Sequence, residues 1–361
     1  MKGKRILIEI GHPAHVHHFK HMYWELEKRG WTGLFVTKDK ECAIDLLKAY
    51  DLPFQVLGVN KKGIARKILS LPQFSLKMIG IARGFKPDIF VSRVSPLSGY
   101  ASFVLRKPHI TFTDTENVRL LDSISQPFAT VILTSTSYYR EHGRKQLRYP
   151  GYHELAYLHP SRFTPDPAVL RLFGVTQETK YALVRFVNWD AHHDIGHKGF
   201  SYDNKIKLIR ELERSMRVFV SSESVLPDSL GSYSINIPAE RMHDVLNYAQ
   251  LFVGESATMA SESAVLGTPA VYVNSSQLGY TNDLARYGLL FSYTDRIEDQ
   301  RRAMDKLKQL LDTPCLEDTF HRNHAEMLSQ RIDVTSFMVW FVINYPKSAQ
   351  EMKSDGFSFT R

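Results

Sequence analysis

Cysteine is nearly absent from this chain: only Cys42 and Cys315 occur, far apart in 361 residues. That excludes a disulfide framework and a CxxC metal pair, and it fits a reducing compartment. Long apolar runs are missing too. The longest, Val334 to Ile343, is about half of the ~20 residues that cross a bilayer. Lys2, Lys4 and Arg5 precede only a short apolar run that His12 and Pro13 end, so no secretory leader is expected and the expected location is cytoplasmic. No Walker-type phosphate loop and no GxGxxG occurs, which argues against NAD. The absence of Gly-x-Ser-x-Gly removes the usual α/β-hydrolase reading.

Acid is missing from one stretch. Residues 61–86 hold Lys61, Lys62, Arg66, Lys67, Lys77, Arg83 and Lys86 without a single Asp or Glu, within a net charge of +8. Apolar residues interleave with these cations. Two readings stand: an ordinary surface helix whose apolar face covers a core, or peripheral contact with the anionic inner face of a membrane. Nucleic acid is not expected as a partner, because no nucleic-acid motif accompanies the charge.

What is present is alternation. Apolar 43% and charged 23% are globular values, and the length suits two domains. Arg5 to Ile10 reads as a buried parallel strand, and Phe19 to Arg29 as a helix with Phe19, Met22, Tyr23 and Leu26 on one face. Strands follow at 34–37, 54–57, 89–92, 109–113 and 129–134, with helices between. Residues 140–167, with Pro150, Gly151, Pro160, Pro165 and Pro167, read as an interdomain linker. The pattern restarts with strands at 181–186, 217–221 and 235–237 and helices at 203–214 and 241–248. This is α/β with doubly wound parallel sheets. The expected domains are 1–160, 161–330, and a C-terminal helix and tail, 331–361, crossing back to the first domain.

The densest signal is Leu251 to Asn274, LFVGESATMASESAVLGTPAVYVN. A strand ends at Gly254–Glu255. Ser256 or Thr258 caps a helix rich in Ala, Met and Glu, Gly267 stops it, Pro269 blocks its return, and Ala270 to Val273 is a second strand. Such a βαβ unit offers phosphate a helix start with unpaired N–H groups, at Ser256, Ala257 and Thr258. Glu255 and Glu262 would repel phosphate there but could accept two ribose hydroxyls.

With IEIGHPAHVHHFKHMYWELEKRGW at the start, TFTDTE at 111–116, PGYHELAYLHP at 150–160 and VGESATMASESAVLGTPAVYVN at 253–274, the chain resembles the DUF354 family. Its plan resembles the GT-B architecture of nucleotide-sugar glycosyltransferases and non-hydrolysing UDP-N-acetylglucosamine 2-epimerases. That resemblance implies two Rossmann-like domains facing an interdomain cleft. A second resemblance is to the undecaprenyl-linked N-acetylglucosaminyltransferase of peptidoglycan synthesis. Ser256-Ala257, Ser261-Glu262 and Gly267-Thr268-Pro269 match its donor motif in order, which implies that Glu262 holds the donor ribose. The first loop departs from that family: Gly11-His12-Pro13-Ala14-His15 has one glycine.

The candidate catalytic residues are His12 and His15, at the carboxyl end of the first strand, and Asp114 and Glu116, at that of the fifth. An imidazole there could deprotonate an acceptor hydroxyl or donate to phosphate, and a carboxylate could serve as general base. Asp114 could instead cap the next helix. Candidate substrate-binding residues are Arg185, Trp189 and His192 in the loop after residue 186, together with Ser222, His243, Glu255, Ser256, Ala257, Thr258 and Glu262. Arg185 could neutralise a diphosphate and Trp189 could stack on a base or sugar. No metal is expected, since no Asp, Glu or Cys at ligand spacing joins the histidines, and no cofactor is expected. The resemblance implies a UDP-sugar or other nucleotide-sugar donor and a glycan or lipid-linked acceptor, with epimerisation or simple glycan binding as rivals.

Overall fold

The computed structural model describes residues 3–40, 42–59, 64–187, 199–222, 226–276, 278–354 and 358–359, with the side chains of 64–68 outside the description. The chain forms two compact units, one of residues 1–162 with 332–361 and one of 163–331.

The first unit contains β1 (Arg5–Ile10), α1 (Pro13–Glu27), β2 (Thr32–Asp39), α2 (Ala43–Ala49), β3 (Phe54–Val59), α3 (Ile64–Phe85), β4 (Ile89–Arg93), α4 (Pro96–Leu105), β5 (His109–Thr113), α5 (Arg119–Ser125), β6 (Val131–Ser135), β7 (Gln146–Tyr149) and α6 (Leu155–Leu158). All seven strands are parallel, in the order β3-β2-β1-β4-β5-β6-β7. Because parallel strands are buried on both faces, β1 and β4–β6 read as apolar runs rather than alternations. Leu7, Val36 and Phe90 pack against Phe74, Met78 and Ala82 of α3 and against Leu97 and Ala101 of α4. The apolar inner face of α3 therefore covers the sheet, as an ordinary surface helix does.

The proline-bearing stretch 140–167 is not simply a linker. Leu147 and Tyr149 are buried, and β7 pairs with β6, so most of the stretch belongs to the first unit. A four-residue strand alternating Gln, Leu, Arg and Tyr carries too little pattern to stand out beside four prolines.

The second unit contains β8 (Tyr181–Phe186), α7 (Tyr202–Glu213), β9 (Arg217–Ser222), α8 (Met242–Tyr248), β10 (Leu251–Gly254), α9 (Ala257–Val265), β11 (Ala270–Val273), α10 (Gly279–Arg286), β12 (Leu290–Tyr293), α11 (Ile297–Asp312) and α12 (Leu316–Ser329). Its sheet is also parallel, ordered β12-β11-β10-β8-β9. Residues 235–237 form no strand; the neighbouring Ser234 makes only a single bridge to Val220.

The chain then returns to the first unit as α13 (Val334–Ile343) and α14 (Lys347–Glu351). Phe337 stacks on Tyr149 at 5.0 Å, and Thr335 donates to the Ala156 carbonyl at 2.7 Å. This explains why α13 is almost wholly apolar: it is a core helix, not a membrane segment. Among the described residues no helix is long and apolar enough to cross a membrane.

Candidate functional site

In open parallel sheets, ligands bind beyond the carboxyl ends of the strands where strand order reverses. Each unit has such a point: β1 beside β4 in the first, β8 beside β10 in the second.

At the first, Pro13 stands at the first position of α1 and His12 caps it, its Nδ1 accepting from Ala14 N at 3.2 Å. His15 Nδ1 accepts from Gly11 N at 3.1 Å. A neutral imidazole that accepts at Nδ1 carries its proton on Nε2. Burial, then Arg93 and His12, holds the His15 pKa well below the usual value, so His15 is neutral. With this hydrogen bonding, both histidines present Nε2–H donors. They suit the phosphate or hydroxyl-oxygen role better than the deprotonation of a hydroxyl.

Asp114 does not cap the next helix, which begins at Arg119 behind an uncapped Val118. Its Oδ1 accepts from Arg93 and, at 2.8 Å, from Thr115 Oγ1, while Oδ2 lies 2.7 Å from His153 Nδ1. Burial raises its pKa, but Arg93 and His153 outweigh burial and hold it well below the usual range. A carboxylate so stabilised makes a poor base and a good anchor for His153 and Arg93. Removing one charge of a buried pair strands the other. Asp114→Asn is expected to destabilise the first unit by about 3–5 kcal/mol, a fall of roughly 10 °C in melting temperature by calorimetry. An unchanged melting temperature would refute the anchoring role.

Glu116 is 2% exposed; its Oε1 lies 3.5 Å from Tyr139 N, and its carbonyl accepts from Arg140 at 3.0 Å. Two further residues join this edge without having been singled out in the sequence. Glu9, the penultimate residue of β1, is buried, and its Oε2 accepts from Ser95 Oγ at 2.5 Å, from Ser98 N at 3.0 Å and from Ser98 Oγ. Burial raises its pKa more than these bonds lower it. A carboxyl raised this way holds its proton more readily than an exposed one, which is the direction that acid–base roles call for. Its signal was an acid inside the apolar run RILIEI. His153 is the other, and it stands in the PGYHELAYLHP motif. Its ring lies 4.2 Å from that of His18, which is fully buried.

In the second unit, β8 and β10 end side by side, with Arg185 opposite Gly254. A Cβ on Gly254 would lie 2.7 Å from the Arg185 carbonyl oxygen, so glycine allows that approach. Arg185 donates to Ser221 Oγ at 2.7 Å. Ser222 closes β9 and is half-buried. Ser256 caps α9 by accepting from Met259 N at 3.4 Å, and Ser256, Ala257 and Thr258 remain partly accessible in that first turn. Glu262 faces His243 of α8, which donates from Nε2 to Oε1 at 3.0 Å; both are buried. Trp189 and His192 lie outside the described residues.

Glu255 has a different place from Glu262. Its Oε2 accepts from Val187 N at 2.8 Å and its Oε1 from Phe200 N at 2.9 Å, and Lys205 Nζ lies 3.1 Å from Oε1. A Cβ on Gly199 would lie 2.4 Å from this carboxylate. Burial raises the Glu255 pKa and lowers that of Lys205, and their mutual attraction opposes both shifts. With both oxygens engaged, Glu255 holds the loop stems at 187 and 200 together; its geometry favours positioning over ligand contact. Among the described residues no group of three His, Cys, Asp or Glu is arranged to hold a metal ion.

Two parallel-sheet α/β units with these switch points are the GT-B fold. A solved UDP-N-acetylglucosamine 2-epimerase superposes with a TM-score of 0.71 at 14% identity, over all of both chains. The Streptomyces sp. SF2575 glycosyltransferase SsfS6 does so with 0.57 at 13% identity, over 93% of this chain and 99% of that one. Residues 4–320 match the family described as protein of unknown function, DUF354, and the chain belongs to it. The uncharacterized protein MJ0665 of Methanocaldococcus jannaschii is 21% identical over 276 residues, 74% of this chain and 80% of that protein.

Proposed function

We propose that this protein is a nucleotide-sugar enzyme that transfers a sugar from a UDP-sugar, or another nucleotide-sugar, to a glycan or lipid-linked acceptor in polysaccharide biosynthesis. One observation carries the reading. Behind the accessible first turn of α9, at the β8–β10 switch point, stands the buried pair His243–Glu262. The turn's N–H groups and helix dipole suit a diphosphate, and the carboxylate suits the two ribose hydroxyls. Arg185 adds positive charge on the same edge. The leaving diphosphate is then stabilised by dipoles and N–H groups, without an obligatory metal. The first unit takes the acceptor, with His12 and His15 as donors to its oxygens and Glu9 or Glu116 as the proton acceptor.

Epimerisation of the nucleotide-sugar is the second reading, and Glu9 favours it. Moving a proton on and off a sugar carbon calls for more than one acid–base group, and Glu9 and Glu116 are two buried carboxyls on this edge.

A thermal-shift screen against UDP, UDP-sugars and other nucleotide-sugars tests the first claim. A nucleotide at about 100 times its Kd stabilises the native state by about 2.7 kcal/mol, several degrees in melting temperature. A flat response to every nucleotide sinks both readings. Turnover of the donor with no acceptor present assigns epimerisation.

A further inference from the structure

A layer of helices on one face of the first unit's sheet presents the side chains expected of a lipid-facing surface. Helix α3 packs against α4, and α4 against α5. The inner face of α3 covers the core through Phe74, Met78 and Ala82. Its outer face runs through Leu69, Pro72, Gln73, Leu76, Gly80 and Arg83, at spacings of three and four along one stripe, all exposed. Leu69 is 79% exposed and Leu76 71%. On α4, Phe103 is 69% exposed and Val104 stands beside it; on α5, Leu120 and Leu121 are exposed. Single exposed leucines are ordinary, but six large apolar side chains on three packed helices call for an explanation.

The charge around them has one sign. Arg83, Arg106, Lys107 and Arg119 are exposed on the same three helices and their ends; Lys77 is exposed too, with its Nζ donating to the Leu57 carbonyl at 2.9 Å. Neither α3 nor α4 contains an acid. The acid of α5, Asp122, is buried and paired with Arg140. Asp88, after α3, lies 3.7 Å from Lys107.

We infer that this α3–α4–α5 layer docks the protein on an anionic bilayer surface, its leucines and phenylalanine entering the headgroup boundary and its lysines and arginines meeting lipid phosphates. Self-association through a two-fold axis would set this cationic surface against itself, with like charges opposed. Nucleic acid would meet, apart from the ring of Phe103, aliphatic side chains that offer bases neither stacking nor hydrogen bonds. No helix among the described residues is built to span, so the contact lies in the interface plane. The inference is independent of the nucleotide-sugar reading.

Co-sedimentation of the full chain with vesicles of phosphatidylcholine alone, and with phosphatidylglycerol added, tests it. Binding is expected to the anionic vesicles and to weaken at least about tenfold on raising salt from about 0.05 to 0.5 M. Leu76→Glu with Phe103→Glu is expected to weaken it at least about tenfold, as is Arg83→Glu with Arg106→Glu. The second pair, charges exposed on α3 and at the end of α4, serves if the first misfolds by circular dichroism. Absence of binding to anionic vesicles at low salt overturns the inference, as does equal binding to both vesicle types or binding indifferent to both variants. A concentration-dependent dimer lost in the variants would reassign the surface to a second copy of the chain.

Discussion

Glu262→Ala is expected to weaken UDP binding at least about a hundredfold by titration calorimetry, a loss of about 2.7 kcal/mol. The magnitude follows from the chemistry. Hydrogen bonds to a charged acceptor contribute about 1.5–3 kcal/mol each, and a ribose offers two hydroxyls. Alanine also leaves His243 without the acceptor now 3.0 Å from its Nε2. A conservative variant separates binding from folding. Glu262→Gln keeps the side-chain volume and an oxygen for His243 but loses the charge, so it should fold normally and bind with intermediate affinity. Equal affinity in wild type and both variants would remove Glu262 from the site. Loss of the fold in alanine but not glutamine would make the pair structural first.

Acid is expected to unfold the first unit well above the pH at which most carboxylates titrate. Burial lowers the pKa of His109 to about 4 and, with Arg93 nearby, that of His18 and His153 as well. These rings are neutral when folded and gain a proton on unfolding. The unfolded chain therefore binds more protons below about pH 6.5, and stability falls as pH drops until the folded pKa is passed. A histidine that stays neutral in the fold contributes up to about 1.4 kcal/mol per pH unit below about pH 6, so the slope grows with each such ring. Asp114 adds to the loss at lower pH: its depressed pKa stabilises the fold above the unfolded value and ceases to as pH falls through the folded one. Denaturant unfolding at pH 7, 6 and 5 measures the slope. His18→Phe, which keeps a ring beside Phe19 and His153, should flatten it by about one histidine's share. A midpoint indifferent to pH would show that these rings protonate in place.

The fold was legible where local pattern and tertiary role agree. The expected helix from Ala257 to Leu266 is observed as Ala257–Val265, and Gly267 and Pro269 separate it from β11. Short buried strands of β-branched residues between glycine and proline signals have few other destinations. β12 was not legible, since LFSY is short and half polar. The site was legible at the level of which residues lie at strand ends and illegible at the level of what each one touches. Glu255 and Glu262 look alike in sequence, yet one is saturated by backbone groups up to 68 residues away and the other faces a histidine 19 residues away. Asp114 resembled a helix cap because Arg93 and His153 approach it only in three dimensions. Similarly, residues 69–85 of α3 carry two apolar faces that composition cannot separate.

The return of residues 332–361 to the first unit has a consequence for biosynthesis. A ribosome adding about 5–20 residues per second needs roughly ten to thirty seconds to make residues 163–331. Throughout that interval Tyr149 and the carbonyl of Ala156 wait for Phe337 and Thr335, which do not yet exist. The nascent first unit therefore stays unsealed on one apolar face, and the second unit, contiguous in sequence, is able to finish folding before it. Chaperone dependence during translation should accordingly concentrate on the half of the protein that is made first.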